Sequence, residues 1–179
     1  MKTYTIQPGQ QNFKPLDSFW PRFNVKKFTV RARFAPSCYY SLQDWEGDRD
    51  WYDWNKLKGV TDFFSANNSR SCMVAWRPHV SANHIEVAAY VNYPGSDIKV
   101  AKLGVVETGQ LFTVSVEMRG DEAEFTFSGN ETETTAFLRY RRAWVSREVG
   151  TWIGGADNAE GPYGGAATQY MELEAEVNY

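Results

Sequence analysis

The run DWEGDRDWYDWNK, residues 44–56, gathers more chemistry-bearing side chains than any other stretch of the chain. Asp44, Glu46, Asp48, Asp50 and Asp53 are interleaved with Trp45, Trp51, Tyr52 and Trp54. Carboxylates at alternate loop positions supply the hard oxygen ligands that Ca2+ takes, which makes Asp44, Glu46, Asp48 and Asp50 a candidate set. Gly47 is the fourth residue of that run, whereas an EF-hand loop needs its glycine at the sixth. A structural Ca2+ is the one cofactor that this pattern brings into view, and the glycine argues against it. Rings beside acids have two further uses. They stack on the C–H faces of a pyranose while the acids accept its hydroxyls, or they anchor the dry centre of a protein interface. Trp45, Asp48, Asp50, Trp51, Tyr52 and Asp53 are the residues expected to bind, with a partner protein or a glycan as ligand. Plain packing is the third use. Trp51 and Trp54 are three apart and face opposite sides of an extended strand, so one of the two turns inward.

Other candidates are sparse. His79 and His84 are the two histidines, and they flank the VSAN turn, where solvent exposure is expected. Cys38 and Cys72 form no zinc set with them. The two thiols either bridge or stay free and buried in strand-like segments, and the free state is the expectation. Glu172, Glu174 and Glu176 alternate with Met171, Leu173, Ala175 and Val177, the pattern of a solvated outer strand face. No P-loop, no G-x-G-x-x-G and no Ser-His-Asp spacing occurs.

The elements that must position these residues are strands. KFTVRARF places Phe28, Val30, Ala32 and Phe34 on one face, and HIEVAAYV places Ile85, Val87, Ala89 and Val91 together. QLFTVSVEM sets Phe112, Val114, Val116 and Met118 against polar neighbours, and EAEFTFSG carries Ala123, Phe125 and Phe127. In SCMVAWR, Trp76 alternates with Cys72 and Val74, so it faces the core and Arg77 faces out. Turn formers separate the runs, among them Gly109, Gly120-Asp121 and Gly129-Asn130. No helical stripe of useful length is present. About ten or eleven strands are expected, in one antiparallel β-sandwich over residues 1–179 with an extended N-terminal segment, about 1–24.

With 179 residues, 16% aromatics and a net charge of −3, the chain is a globular protein large enough for a full core. That charge excludes a nucleic-acid footprint. The basic cluster Arg139, Arg141 and Arg142 reads as the outer face of a strand. The start, MKTYTIQPGQQNF, has no apolar h-region, and no apolar run reaches 18 residues, so no membrane insertion is expected.

Four pieces in order carry a resemblance: NKLKG (Asn55 to Gly59), SCMVAWR (Ser71 to Arg77), IEVAAYV (Ile85 to Val91) and the Gly154-Gly155 pair before a closing strand. The chain resembles concanavalin-like and laminin-G-like jelly rolls, and more narrowly small jelly-roll proteins of gut bacteria and their phages. Lys58 stands where that set commonly has an aromatic, and FFSANNS lacks a histidine cluster. The resemblance implies an all-β, single-domain jelly-roll sandwich. The E-x-D-x-x-E strand of laminarinase-type hydrolases is missing, as are the Q-I-H and R-x-E-x-R strands of jelly-roll lyases. The function expected is therefore non-catalytic: a structural or adhesion protein, a virion component such as a capsid decoration, fibre or tail protein. It would be homo-oligomeric, bound to other virion or surface proteins, and located in a virion or otherwise the cytoplasm. The alternative is a lectin-like glycan-binding module, and behind it a polysaccharide lyase or glycoside hydrolase.

Overall fold

The computed structural model describes residues 1–6, 12–14, 20–39, 53–65, 69–93, 98–129, 131–153 and 171–179. Twelve strands are named among them: β1 (Lys2–Ile6), β2 (Arg22–Phe23), β3 (Lys27–Phe34), β4 (Asn55–Asp62), β5 (Ser71–Pro78) and β6 (His84–Asn92), then β7 (Lys99–Glu107), β8 (Leu111–Arg119), β9 (Glu122–Gly129), β10 (Thr132–Arg139), β11 (Val145–Val149) and β12 (Met171–Asn178). A 3-10 turn, Pro36–Cys38, is the one helical element among the described residues. Among the described residues no helix is long and apolar enough to cross a membrane.

Two six-stranded sheets result. Sheet A runs β1-β12-β3-β8-β9-β10, and sheet B runs β2-β11-β4-β5-β6-β7. All the named pairings are antiparallel. This is the antiparallel β-sandwich that the alternation predicts, of the jelly-roll kind that the resemblance implies. Phe28, Val30, Ala32 and Phe34 are buried, as are Phe112, Val114, Val116 and Met118 facing sheet B from β8. Trp76 comes from the other side, and its ring centroid lies 5.0 Å from that of Phe34. Cys38 and Cys72 are free thiols in this core, and burial pushes both pKa values well up.

The outer face of sheet A pairs charges across strands. Glu174 lies opposite Arg33 and Glu176 opposite Arg31, and Arg33 Nη2 donates to Glu174 Oε2 at 2.6 Å. The acidic row of β12 is thus a surface feature, as its alternation predicts.

Three details differ from the pattern. β1, β2 and β7 were not legible as strands. The basic cluster does not lie on one strand face: Arg139 ends β10, Tyr140 is buried, and Arg142 bonds the Asn24 side chain. Tyr140 keeps the inward parity of Ala136 and Leu138, but β10 ends at Arg139, so Arg141 and Arg142 do not continue its outer face. Finally, β4 and β7 each carry a bulge. Lys56 pairs with Ala75 and Lys58 with Val74, so Leu57 is an extra residue. Leu103 is the corresponding extra residue between the partners of Val87 and Ala88. A bulge reverses the alternation beyond it. Both Lys56 and Lys58 are buried, the first toward the outer face of sheet B and the second toward the core. There Lys58 Nζ meets Glu148 Oε1 at 3.2 Å and lies 4.2 Å over the Tyr4 ring of sheet A.

Candidate functional site

Alternation leaves a second set of side chains on the outer face of sheet B, and strand pairing lines them up in rows. Arg77 faces Glu86, Ala75 faces Ala88 and Met73 faces Tyr90. Lys56 extends the Ala75 row on one side, and Lys102 extends it on the other. Just past the end of β5 the His79 amide donates to the carbonyl of His84, the first residue of β6, at 2.9 Å. The two histidines therefore continue this face past Arg77 and Glu86. Met73, Ala75, Tyr90 and Val149 form its buried floor, with Trp54 and Trp152 packed against them.

Glu86 is the centre of the charged row. Arg77 Nε donates to its Oε2 at 2.7 Å and Lys102 Nζ to its Oε1 at 2.6 Å. Burial works to raise the Glu86 pKa, but these hydrogen bonds and charges outweigh it and hold the carboxyl below the usual range. The Arg77 guanidinium also lies 4.3 Å over the Trp54 ring, which fixes it from a second side. Taken alone, these three groups sum to one positive charge, and Glu107 beside His84 and Asp53 beside Lys56 are the other acids of this face.

The histidines beside it are held in opposite tautomers. The Ser81 amide donates to His79 Nδ1 at 3.1 Å, so that nitrogen bears a lone pair and the neutral ring carries its hydrogen on Nε2. His79 Nε2 lies 3.9 Å from Glu86 Oε1. His84 Nδ1 lies 2.7 Å from the Ala82 carbonyl, which can only accept, so Nδ1 bears the hydrogen and Nε2 keeps the lone pair. Glu107 Oε1 lies 3.7 Å from that Nε2. The ring centroids are 6.3 Å apart. One imidazole is poised to give a proton and its neighbour to accept one.

A second ionisable group sits deeper. Lys56 Nζ donates to the Trp54 carbonyl, lies 3.6 Å from Asp53 Oδ2 and stands 4.7 Å over the Tyr90 ring. Burial lowers the Lys56 pKa against the opposing pull of Asp53. Burial, then the Asp53 charge, pushes the Tyr90 phenol up to about 12, so it keeps its proton at neutral pH. Tyr90 is six residues from His84 along β6, about 20 Å, too far to share a chemical step with it.

Of the residues expected to bind, Asp53 joins this face. Trp45, Asp48, Asp50, Trp51 and Tyr52 lie outside the described residues, as do the Ca2+ candidates Asp44, Glu46, Asp48 and Asp50. Among the described residues no group of three His, Cys, Asp or Glu side chains is placed to hold a metal ion. Sequence reasoning read Arg77 only as facing out and the histidines as turn residues, and it did not single out Glu86 or Lys102. The one available signal was Glu86, an acid interrupting the apolar run IEVAAYV.

No protein-family model matches the chain, and no curated protein matches it in sequence. Solved structures match its fold. An exolytic PL7 alginate lyase from Zobellia galactanivorans aligns with a TM-score of 0.58 at 10% identity, over 89% of this chain and 75% of that one. The alginate lyase from Klebsiella pneumoniae aligns at 0.56 and 8% identity, over 86% and 59%. Alginate lyase A1-II', a member of polysaccharide lyase family 7, aligns at 0.52 and 7% identity, over 90% and 66%. The chain thus spans 59% and 66% of the latter two proteins. These matches correct the expectation of a non-catalytic structural, adhesion or virion protein, because the similar structures are enzymes. That expectation rested on missing strand motifs and on the resemblance to jelly rolls of gut bacteria and their phages, and motifs in single strands do not report residues that neighbouring strands bring together. The architecture is a jelly-roll β-sandwich shared with polysaccharide lyases.

Proposed function

We propose that the chain is a polysaccharide lyase that cleaves a uronate-bearing polymer on the outer face of sheet B. The observation that carries this reading is the net-positive Arg77–Glu86–Lys102 row beside two histidines of opposite tautomer. The fold neighbours named as alginate lyases support the substrate class.

Lyase chemistry needs three things: a cation on the uronate carboxylate, a base for the C5 proton and an acid for the departing O4. Arg77 and Lys102 supply the first, which lowers the cost of the charge that builds at C5. His84 Nε2 takes the C5 proton, the C5–H electrons form the C4–C5 double bond, and the C4–O4 bond breaks. His79 Nε2–H protonates the leaving oxygen. Hydrolysis by two carboxylates fits less well, since Glu86 is held ionised by two donors and has no proton to give.

The test is incubation with polymannuronate, polyguluronate, polygalacturonate and polyglucuronate, following the ultraviolet absorbance of the unsaturated uronate product. At least one polymer should yield it, and a neutral β-glucan should not. His84→Ala should lower kcat by about 10²–10⁴-fold. Absence of unsaturated product from all four polymers would overturn the reading, and so would full activity in His84→Ala.

A further inference from the structure

Each sheet ends in two edge strands, β1 and β10 for sheet A, β2 and β7 for sheet B. An edge presents N–H and C=O groups that can pair with another chain. Three of the four edges are blunted. The Lys14 amide donates to the Thr5 carbonyl of β1 at 2.6 Å, and the Thr5 amide donates back at 2.7 Å. β2 is only Arg22–Phe23, and β7 carries its bulge together with Lys99 and Lys102. β10 has none of these guards. It pairs with β9 without a register shift from Thr132 to Arg139, and TETTAFLR contains no proline, glycine or lysine.

The direction of its backbone groups follows from one hydrogen bond. The Tyr140 amide donates to the Asp121 carbonyl at 2.8 Å, in register with the ladder. Alternation then turns the backbone of Leu138, Ala136, Thr134 and Thr132 toward β9. The N–H and C=O groups of Glu133, Thr135, Phe137 and Arg139 point to the open edge. The side chains of these same four residues lie on the outer face, whereas Ala136 and Leu138 pack against the core. Phe137 is 56% exposed. Glu133 and Arg139 are exposed too, and among the described residues neither has an ion-pair partner.

We propose that β10 is the contact surface for a second copy of this chain, paired antiparallel about a two-fold axis beside Ala136. Sheet A then runs on into its counterpart. Charge fixes the register. With the axis at Ala136, Glu133 of one copy meets Arg139 of the other at both ends, and Thr135 meets Phe137 between them. Sliding the strands by two residues sets Glu133 against Phe137 or carries it past the end of β10.

The pairing gives every open-edge group of the strand a partner, about eight backbone hydrogen bonds in all. The two Phe137 rings are diagonal neighbours across the centre, within reach of each other. Because the same edge is used up in both copies, assembly closes at a dimer. The inference does not depend on the lyase reading, since β10 belongs to the other sheet.

The experiment follows molar mass by sedimentation velocity across a concentration series, with circular dichroism reporting the fold. The wild type should pass from monomer to dimer. Glu133→Arg alone and Arg139→Glu alone set like charges against each other at both ends, and each should raise the dimer dissociation constant about tenfold. An equimolar mixture of these two variants should restore the wild-type value, because opposite charges meet again at both ends of the mixed dimer. Thr135→Pro removes a donor that faces the edge and not β9, so it should abolish the dimer and keep the monomer fold. A wild type that stays monomeric throughout its soluble range would overturn the proposal. So would a dimer that none of the three variants weakens, which places the interface elsewhere, and so would growth beyond the dimer into fibres. A mixture that associates no better than its components would overturn the pairing. Misfolded chains cannot regain a dimer by mixing, so rescue separates loss of contact from loss of structure, and if Thr135→Pro unfolds the charge exchange decides by itself.

Discussion

Glu86 carries two cations on one carboxylate, and that has a measurable pH signature. Its folded-state pKa lies below the ordinary glutamate value of about 4.3. Its stabilisation is therefore complete above that value and is lost as pH falls through the folded-state pKa. Glu86→Gln removes this dependence. Urea midpoints measured from pH 7 down to pH 3 should fall more steeply below about pH 4.3 for the wild type than for the variant. Parallel curves would show that Arg77 and Lys102 do not hold the carboxylate in solution. At this scale the sequence was legible for core residues and mute for the site. Trp76 and Arg77 point in opposite directions as alternation requires, and Trp76 is fully buried. Yet Arg77, His84, Glu86 and Lys102 come from three strands, His79 from the turn after β5 and Trp54 from the residue before β4. Each looks like an ordinary outward residue until strand order brings them together.

Strands β4 and β5 approach at Gly59 as closely as backbones allow. A Cβ built on Gly59 would stand 2.2 Å from the Cys72 carbonyl oxygen and 2.6 Å from the Met73 Cα, and neither atom can swing away. Gly59→Ala should force the two strands apart and destabilise the fold by about 3 kcal/mol or more, read by chemical denaturation. A cost below about 1 kcal/mol would mean that the pairing slides to accommodate a methyl group. Elements were readable in proportion to their contrast. β3, β8 and β9 alternate between core and solvent and announce themselves. β5 and β6 are buried on both faces, so alternation located them without separating one face from the other, and β4 was met only as the NKLKG piece of the resemblance. β10 exposes most of its residues as the edge of sheet A and offers little apolar period at all.

For the molecule as a whole, one buried charge joins the sheets. Lys58 of sheet B reaches Glu148 on its own sheet and the Tyr4 ring on the other. Lys58→Met leaves Glu148 partnerless beside the core and should cost about 3–5 kcal/mol, whereas Lys58→Met with Glu148→Leu should return to within about 1 kcal/mol of the wild type. Denaturant titrations of both variants and of Glu148→Leu complete the cycle, and equal losses in single and double variants would show that packing rather than charge is at stake. The sequence foretold the two-sheet architecture because burial on one side of each strand leaves few ways to assemble. It could not foretell this contact, since the Leu57 bulge decides which of two nearby lysines enters the core. The same bulge has a consequence for descent. Elsewhere in β5 or β6, losing one codon would exchange core and site residues and turn the sheet inside out. Losing Leu57 would leave Lys56 and Lys58 on their present faces, at the expense of one buried leucine. A lineage carrying this sandwich can therefore shorten its chain at that point while keeping the outer face of sheet B in register.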